Sequence, residues 1–132
     1  MRYLCLVYLV EKDMSAMSKK EADACTEESL AYDDDLRKAG HFLVAHALQP
    51  VEAATTIRVR SGKLSTTDGP FAETKEQLGG FILIEARDLN EAIQVASKIP
   101  PASVGSIEVR PVREIRQGAA HAAGARPSAT AA

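Results

Sequence analysis

Arg2-Tyr3-Leu4-Cys5-Leu6-Val7-Tyr8-Leu9-Val10 decides the architecture of this chain, because both alternating faces of the run are apolar. Tyr3, Cys5, Val7 and Leu9 share one face, and Leu4, Leu6, Tyr8 and Val10 share the other. That is the pattern of a strand covered on both sides. Residues 79–86 read the same way, with Phe81 and Leu83 on one face and Ile82 and Ile84 on the other. Two such strands in one sheet need cover above and below.

The segments between them supply cover for one side. Ser18 with Glu21 three residues later is a capping box, and Ala22, Cys25, Ser29, Tyr32, Leu36 and Ala39 then recur at helical spacing. The helix so predicted carries a narrow stripe of small and medium side chains. It ends at Gly40, with Arg37 and Lys38 in the last turn opposing the negative end of the dipole. Residues 42–48 form a second strand, stopped by Gln49-Pro50. In residues 55–60 strict alternation predicts Ile57 and Val59 inward and Thr56, Arg58 and Arg60 outward. Ser61-Gly62-Lys63 then turns the chain into a short hairpin strand at residues 64–67. Asp88 with Glu91 repeats the capping-box pattern for a second helix whose Leu89, Ala92, Ile93, Ala96 and Ile99 face the core, until Pro100-Pro101 ends it. Residues 106–112 close the fold as a strand, in which Pro111 marks an edge or a bulged position.

Strand, helix, strand, strand, helix, strand is the split βαβ order of a ferredoxin-like α+β fold, here with a hairpin inserted before the fourth main strand. Both helices lie on one face of such a sheet. Leaving about six apolar side chains of the opposite face in water would forgo about 1.5 to 3 kcal/mol each. That sum rivals the whole stability of a typical domain, about 5 to 15 kcal/mol. No spare segment exists to cover the face, so a second copy, packed sheet to sheet about a two-fold axis, is the expected partner.

Composition narrows the possible functions. With 132 residues and 45% hydrophobic content, one domain is expected, at residues 1–116. From residue 117 to 132 the chain is dominated by Ala, Gly, Ser, Thr and Pro with no large apolar side chain, and a disordered tail is expected there. A formal net charge of -2, with no basic stripe and few aromatic residues, argues against nucleic acid. The apolar runs are too short to span a bilayer, and no signal-peptide pattern is visible, so a cytoplasmic protein with no membrane partner is expected. Cys5 and Cys25 lack metal or redox spacing and read as reduced core residues. The histidines at 41, 46 and 121 have no ligand spacing, so neither a metal nor a cofactor is expected.

The segment richest in chemistry is Asp68-Gly69-Pro70-Phe71, followed at once by Ala72-Glu73-Thr74-Lys75-Glu76-Gln77-Leu78-Gly79-Gly80. Gly before Pro excludes most helical conformations and holds the backbone in a turn. Two readings stand for Asp68. It is a turn residue whose side chain accepts a local backbone bond, or a general base fixed at a strand end. His46 shares strand parity with Phe42, Val44 and Leu48, which predicts an imidazole directed at the space between sheet and helices and near Asp68. A His and Asp pair there would move a proton without a cofactor; the alternative is a packed core histidine. Glu73, Lys75 and Glu76 are either a solvated loop, with pairs worth about 0 to 1 kcal/mol each, or part of a binding rim. In the second reading Arg58 and Lys75, with Glu73 beside them, hold an acidic or phenolic small molecule. Gly79-Gly80 fits a bulge or a close backbone approach.

The run from Thr66 to Gly80 resembles the DGPF group of the YCII-related family, and the likeness extends to Leu48-Gln49-Pro50, to the strand at 55–60 and to Glu108-Val109-Arg110-Pro111-Val112. The resemblance implies a dimeric α+β barrel of ferredoxin-like subunits. It also implies relatives that are small enzymes with a His and Asp pair, one branch of which removes halide from a chlorinated hydroxyquinol. Group members are often encoded beside, or fused to, extracytoplasmic-function sigma factors. Where the enzyme-like relatives carry a His on the first helix, this chain has Ser29 and Tyr32, so that pair does not carry over intact. The expected function is a small-molecule-binding homodimer with cofactor-free acid/base chemistry of lyase, isomerase or dehydrohalogenase type. The alternative is a non-catalytic accessory or regulatory partner of a sigma factor.

Overall fold

The computed structural model describes residues 1–115; the expected domain end at 116 and the tail at 117–132 lie outside the described residues. In chain order the elements are β1 (Arg2–Leu9), α1 (Glu11–Ser15), α2 (Lys19–Lys38), β2 (Phe42–Ala47), β3 (Thr55–Arg60), β4 (Lys63–Asp68), β5 (Gln77–Glu85), α3 (Leu89–Ser97) and β6 (Ser106–Pro111). The main sheet has the order β2-β5-β1-β6 and is antiparallel throughout. This interleaving of two β-α-β halves is the ferredoxin-like arrangement. The doubly apolar strands β1 and β5 lie side by side at its centre, and β6, with Pro111 in its last ladder position, lies at an edge.

Helix ends follow their local chemistry. The Ser18 hydroxyl accepts from the Glu21 amide while the Glu21 carboxylate accepts from the Ser18 amide, closing the capping box of α2. Asp88 caps α3 by accepting from the Glu91 amide, but the box expected there is not closed, because the Glu91 carboxylate accepts from the Arg87 amide instead of the Asp88 amide. Both helices cover the same face of the sheet. Tyr3, Cys5 and Val7 of β1 and Ile82 and Ile84 of β5 are buried there against Leu36 of α2 and Ala92, Val95 and Ala96 of α3. Cys5 is fully enclosed, and burial pushes its thiol up to about 11, which keeps it protonated and inert.

The other face carries no helix. Leu4, Leu6 and Tyr8 of β1 alternate with the buried set, and the register places Leu4 opposite Leu83, Leu6 opposite Phe81 and Val44 opposite Leu83. All of them are only half-buried. A polar group sits beside this apolar surface: the Tyr8 hydroxyl donates to Glu108 at 3.3 Å, and Arg110 Nε donates to the same carboxylate at 2.5 Å.

Three features depart from the sequence reading. The five-residue helix α1, with no buried residue, follows β1 directly, in a segment whose brevity hides any periodicity. β3 and β4 form a separate two-stranded sheet instead of joining the main one. With no core behind them, Ile57 and Val59 are 62% and 57% exposed while Thr56 and Arg58 are half-buried, the reverse of the inward and outward assignment made from alternation. Alternation identifies faces but not which face meets the protein. The bulge expected at Gly79-Gly80, by contrast, is present in β5: Val7 pairs with Gly80 and Tyr8 with Leu78, so Gly79 is the extra residue.

The Asp68-Gly69-Pro70 turn ties the hairpin shut. The Gly69 amide donates to the Ala54 carbonyl at 2.8 Å, and the Thr56 hydroxyl donates to the Gly69 carbonyl at 2.9 Å. Gly69 has φ +113° with open space around its missing Cβ, so glycine is required by the backbone and not by packing. Gly69→Ala is therefore expected to cost about 1 to 2 kcal/mol in urea unfolding. An unchanged midpoint and slope would show that this turn does not need its left-handed residue.

Candidate functional site

The small side chains on the stripe of α2 have a consequence for packing. Of its twenty residues only Leu36, near the C-terminal end, is fully buried. Toward the N-terminal end Ala22, Cys25 and Ser29 face the sheet but are too short to fill the gap to it, since a helix axis stands about 10 Å from what it packs on. The result is a cavity of about 480 Å³ between α2 and the strands β2 and β5. That size suits a small organic molecule.

Each wall comes from a different element. The sheet contributes Val7, Ala45, Ala47, Gly80 and Ile82, all small or apolar. The chain after α3 contributes Ile99, Pro100 and Pro101, and the segment around α1 contributes Met14 and Met17. Methionine is flexible and polarisable, so that last wall is the most deformable of the cavity. α1 is held in place from both sides: its Glu11 amide donates to the Gln77 side chain at 3.3 Å, and the Glu11 carboxylate accepts from the Val51 amide at 2.9 Å. Glycine at position 80 lets β2 come close, because a Cβ there would stand 2.9 Å from the His46 carbonyl oxygen. The expectation of a close backbone approach at Gly79-Gly80 is met.

Apart from His46 of β2, the polar residues of the wall all lie on α2: Cys25, Thr26, Ser29, Tyr32 and Asp33. The Tyr32 hydroxyl is engaged, donating to the Val95 carbonyl at 2.6 Å, and burial raises its pKa above the usual tyrosine range. Asp33 is half-buried, and that burial raises its carboxyl above the ordinary carboxylate range; Arg37 one turn on works against the rise and Asp34 adds to it. Thr26 donates back to the Ala22 carbonyl at 3.0 Å. Cys25 is half-buried in the wall and is not part of the core cluster in which it was expected.

The residues singled out from the sequence are spread over several elements. His46 borders the cavity, but not with its ring. Its neighbour Ala45 pairs with Ile82 and packs on the core, so alternation turns the His46 side chain to the helix-free face. There it meets its ladder partner Phe81 edge-on, ring centroids 5.8 Å apart at 63°. The expected direction, into the space between sheet and helices, is thus corrected by the bulge at Leu43, which changes the parity between Phe42 and Val44. Asp68 is the exposed last residue of β4, outside the cavity wall, and no hydrogen bond to its carboxylate holds the turn among the described residues. The Arg58 guanidinium lies 5.7 Å over the Phe71 ring on the hairpin. Glu73 and Lys75 are exposed in the connection to β5, where Thr74 donates to the Glu76 carbonyl at 2.6 Å. None of Arg58, Glu73 and Lys75 lines the cavity.

Sequence reading missed Asp33, the one carboxylate of the wall. The available signal was its place four residues after Ser29, but it stands in an Asp33-Asp34-Asp35 run that reads as a solvated face. Among the described residues no group of three His, Cys, Asp or Glu side chains could hold a metal ion, and no helix is long and apolar enough to cross a membrane.

Comparison with known proteins places this geometry in a family. An uncharacterised protein of Rhizobium meliloti (strain 1021) is 40% identical over 120 residues, a match that spans 89% of this chain and 97% of that protein. Among solved structures, the chain is similar to 5-chloro-2-hydroxyhydroquinone dehydrochlorinase (TftG) from Burkholderia phenoliruptrix AC1100, in complex with 2,5-dihydroxybenzoquinone. The TM-score is 0.50 at 16% identity, with 86% of this chain and 94% of that one covered, a likeness of fold. The family model of the YCII-related domain matches residues 1–116, and the chain belongs to the YCII-related family.

Proposed function

We propose that this protein is a small-molecule-binding homodimer whose ligand occupies the cavity between α2 and the sheet. The observation that carries the reading is the cavity itself. A gap of about 480 Å³ lined by apolar strands, two methionines and a short row of polar groups on one helix is what a binding site requires, and a mere structural domain would have filled it. Binding is supported ahead of catalysis, because the acid and base expected at Asp68 and His46 stand on different elements: Asp68 lies outside the wall, and His46, which borders it, turns its ring toward Phe81. TftG, a dehydrochlorinase of this fold, is held with 2,5-dihydroxybenzoquinone. A lyase or isomerase step in this chain would need one of the polar groups of α2 to serve as base.

The second copy follows from the helix-free face. Leu4, Leu6, Phe81 and Leu83 form a continuous apolar surface across the two central strands, and Ile57, Val59 and Leu64 of the hairpin add further apolar side chains left in water. Two such faces packed at about 10 Å would bury an area on the scale of a stable interface, about 800 Å² per partner. Sedimentation equilibrium at micromolar concentration is expected to give the dimer mass for the native chain and the monomer mass for Leu83→Arg. A monomeric native chain refutes the assembly.

Two further measurements address the cavity. Ser29→Trp fills it from the helix side and is expected to abolish ligand-induced thermal shifts while leaving the melting temperature of the free protein equal or higher. Retained shifts in that variant would place the ligand elsewhere. Cys25 and Cys5 are internal reporters: iodoacetamide is expected to modify Cys25 in the native state and to leave Cys5 untouched, and a bound ligand should slow the Cys25 reaction. Equal rates with and without a ligand known to bind would remove the cavity from consideration.

A further inference from the structure

We infer that the cavity selects ligands carrying a protonated amine on an apolar body and disfavours carboxylates, with Asp33 as the anchor. The inference rests on the cavity being a ligand site and concerns only what that site prefers. Three observations lead to it. First, the sheet and α1 sides of the wall offer apolar surface from Met14, Met17, Ala47 and Ile82, which would take the body of a guest. Second, no Lys or Arg lines the cavity, while Asp33 does, so the fixed charge within reach of a guest is negative.

Third, no ion pair neutralises Asp33 in the free protein, and the attraction from Arg37 one turn on is outweighed by burial. Among the described residues it has no ion-pair partner within 4.0 Å. The nearby cation is committed elsewhere: Arg37 binds the Asp34 carboxylate at 2.5 Å and lies over the Phe42 ring at 4.2 Å from its centroid. Asp34 and Asp35 add negative potential on the same helix. The other titratable wall groups do not change the balance, since Tyr32 is hydrogen-bonded to a backbone carbonyl and the His46 ring faces away. A half-desolvated carboxylate without a partner gains from an incoming ammonium and repels an incoming anion. Ser29, one turn before Asp33, offers a hydroxyl that accepts a second N–H of the same group. The acidic or phenolic guest expected from the sequence depended on Arg58 and Lys75, which lie outside this wall.

The test uses three probes of one shape: 4-phenylbutylamine, 4-phenylbutan-1-ol and 4-phenylbutyrate, titrated calorimetrically into the full chain at neutral pH. The amine is expected to bind at least about tenfold more tightly than the butyrate, with the alcohol between them. Asp33→Asn should weaken the amine by about tenfold and bring it level with the alcohol, and Asp33→Glu should restore the preference. A butyrate that equals or exceeds the amine overturns the inference, as does amine affinity unchanged in Asp33→Asn. In either case the probes still bind and the cavity still stands as a ligand site. If none of the three binds at millimolar concentration and none slows Cys25 alkylation, the site itself fails and the preference fails with it.

Discussion

Pairing of β1 with β5 is the constraint on which the rest of the molecule depends. Both strands are apolar on both faces, and their register, from Arg2 opposite Glu85 to Val7 opposite Gly80, aligns one apolar set with the other on each side. A one-residue slip would exchange the buried and open sets along the whole strand. Every other element can be understood as an answer to the surfaces this pair creates. The helices α2 and α3 close one side over Cys5, Ile82 and Ile84, while the edges β2 and β6 extend the sheet and shield its rims. The remaining side is the reason a second copy enters the proposed assembly.

Much of this order could be read from residue patterns alone. The six strands, the two long helices, both N-caps, the glycine end of α2 and the edge position of Pro111 follow from local rules of periodicity and capping, which act within a few residues. What could not be read depends on events between elements. The detachment of β3 and β4 from the main sheet is decided by which strand wins the place beside β5, and β2 occupies it. The facing of His46 is decided by one extra residue at Leu43, invisible in a run whose residues are nearly all apolar.

The candidate site was less legible for a related reason. A motif such as Asp68-Gly69-Pro70-Phe71 draws attention because glycine and proline are conspicuous, yet its hydrogen bonds to Ala54 and Thr56 account for those residues as the clasp of a hairpin. The cavity, in contrast, is made by what is missing. Ala22, Cys25 and Ser29 look like ordinary small residues on a helix stripe, and only the distance to the sheet reveals that they leave space. Asp33 gained its significance in the same way, from the void beside it and not from its neighbours in sequence.

Construction of the void from one helix has an evolutionary consequence. The inward side chains of α2 line the void along much of its length, while the tight part of the core is built from β1, β5 and α3, with Leu36 as the main contribution of α2. Substitutions at positions 22, 25, 29 and 33 therefore alter capacity and polarity without disturbing the sheet. Such a layout separates the inheritance of the scaffold from the lining of its void, so that descendants can drift apart in the chemistry of that lining while retaining the same skeleton.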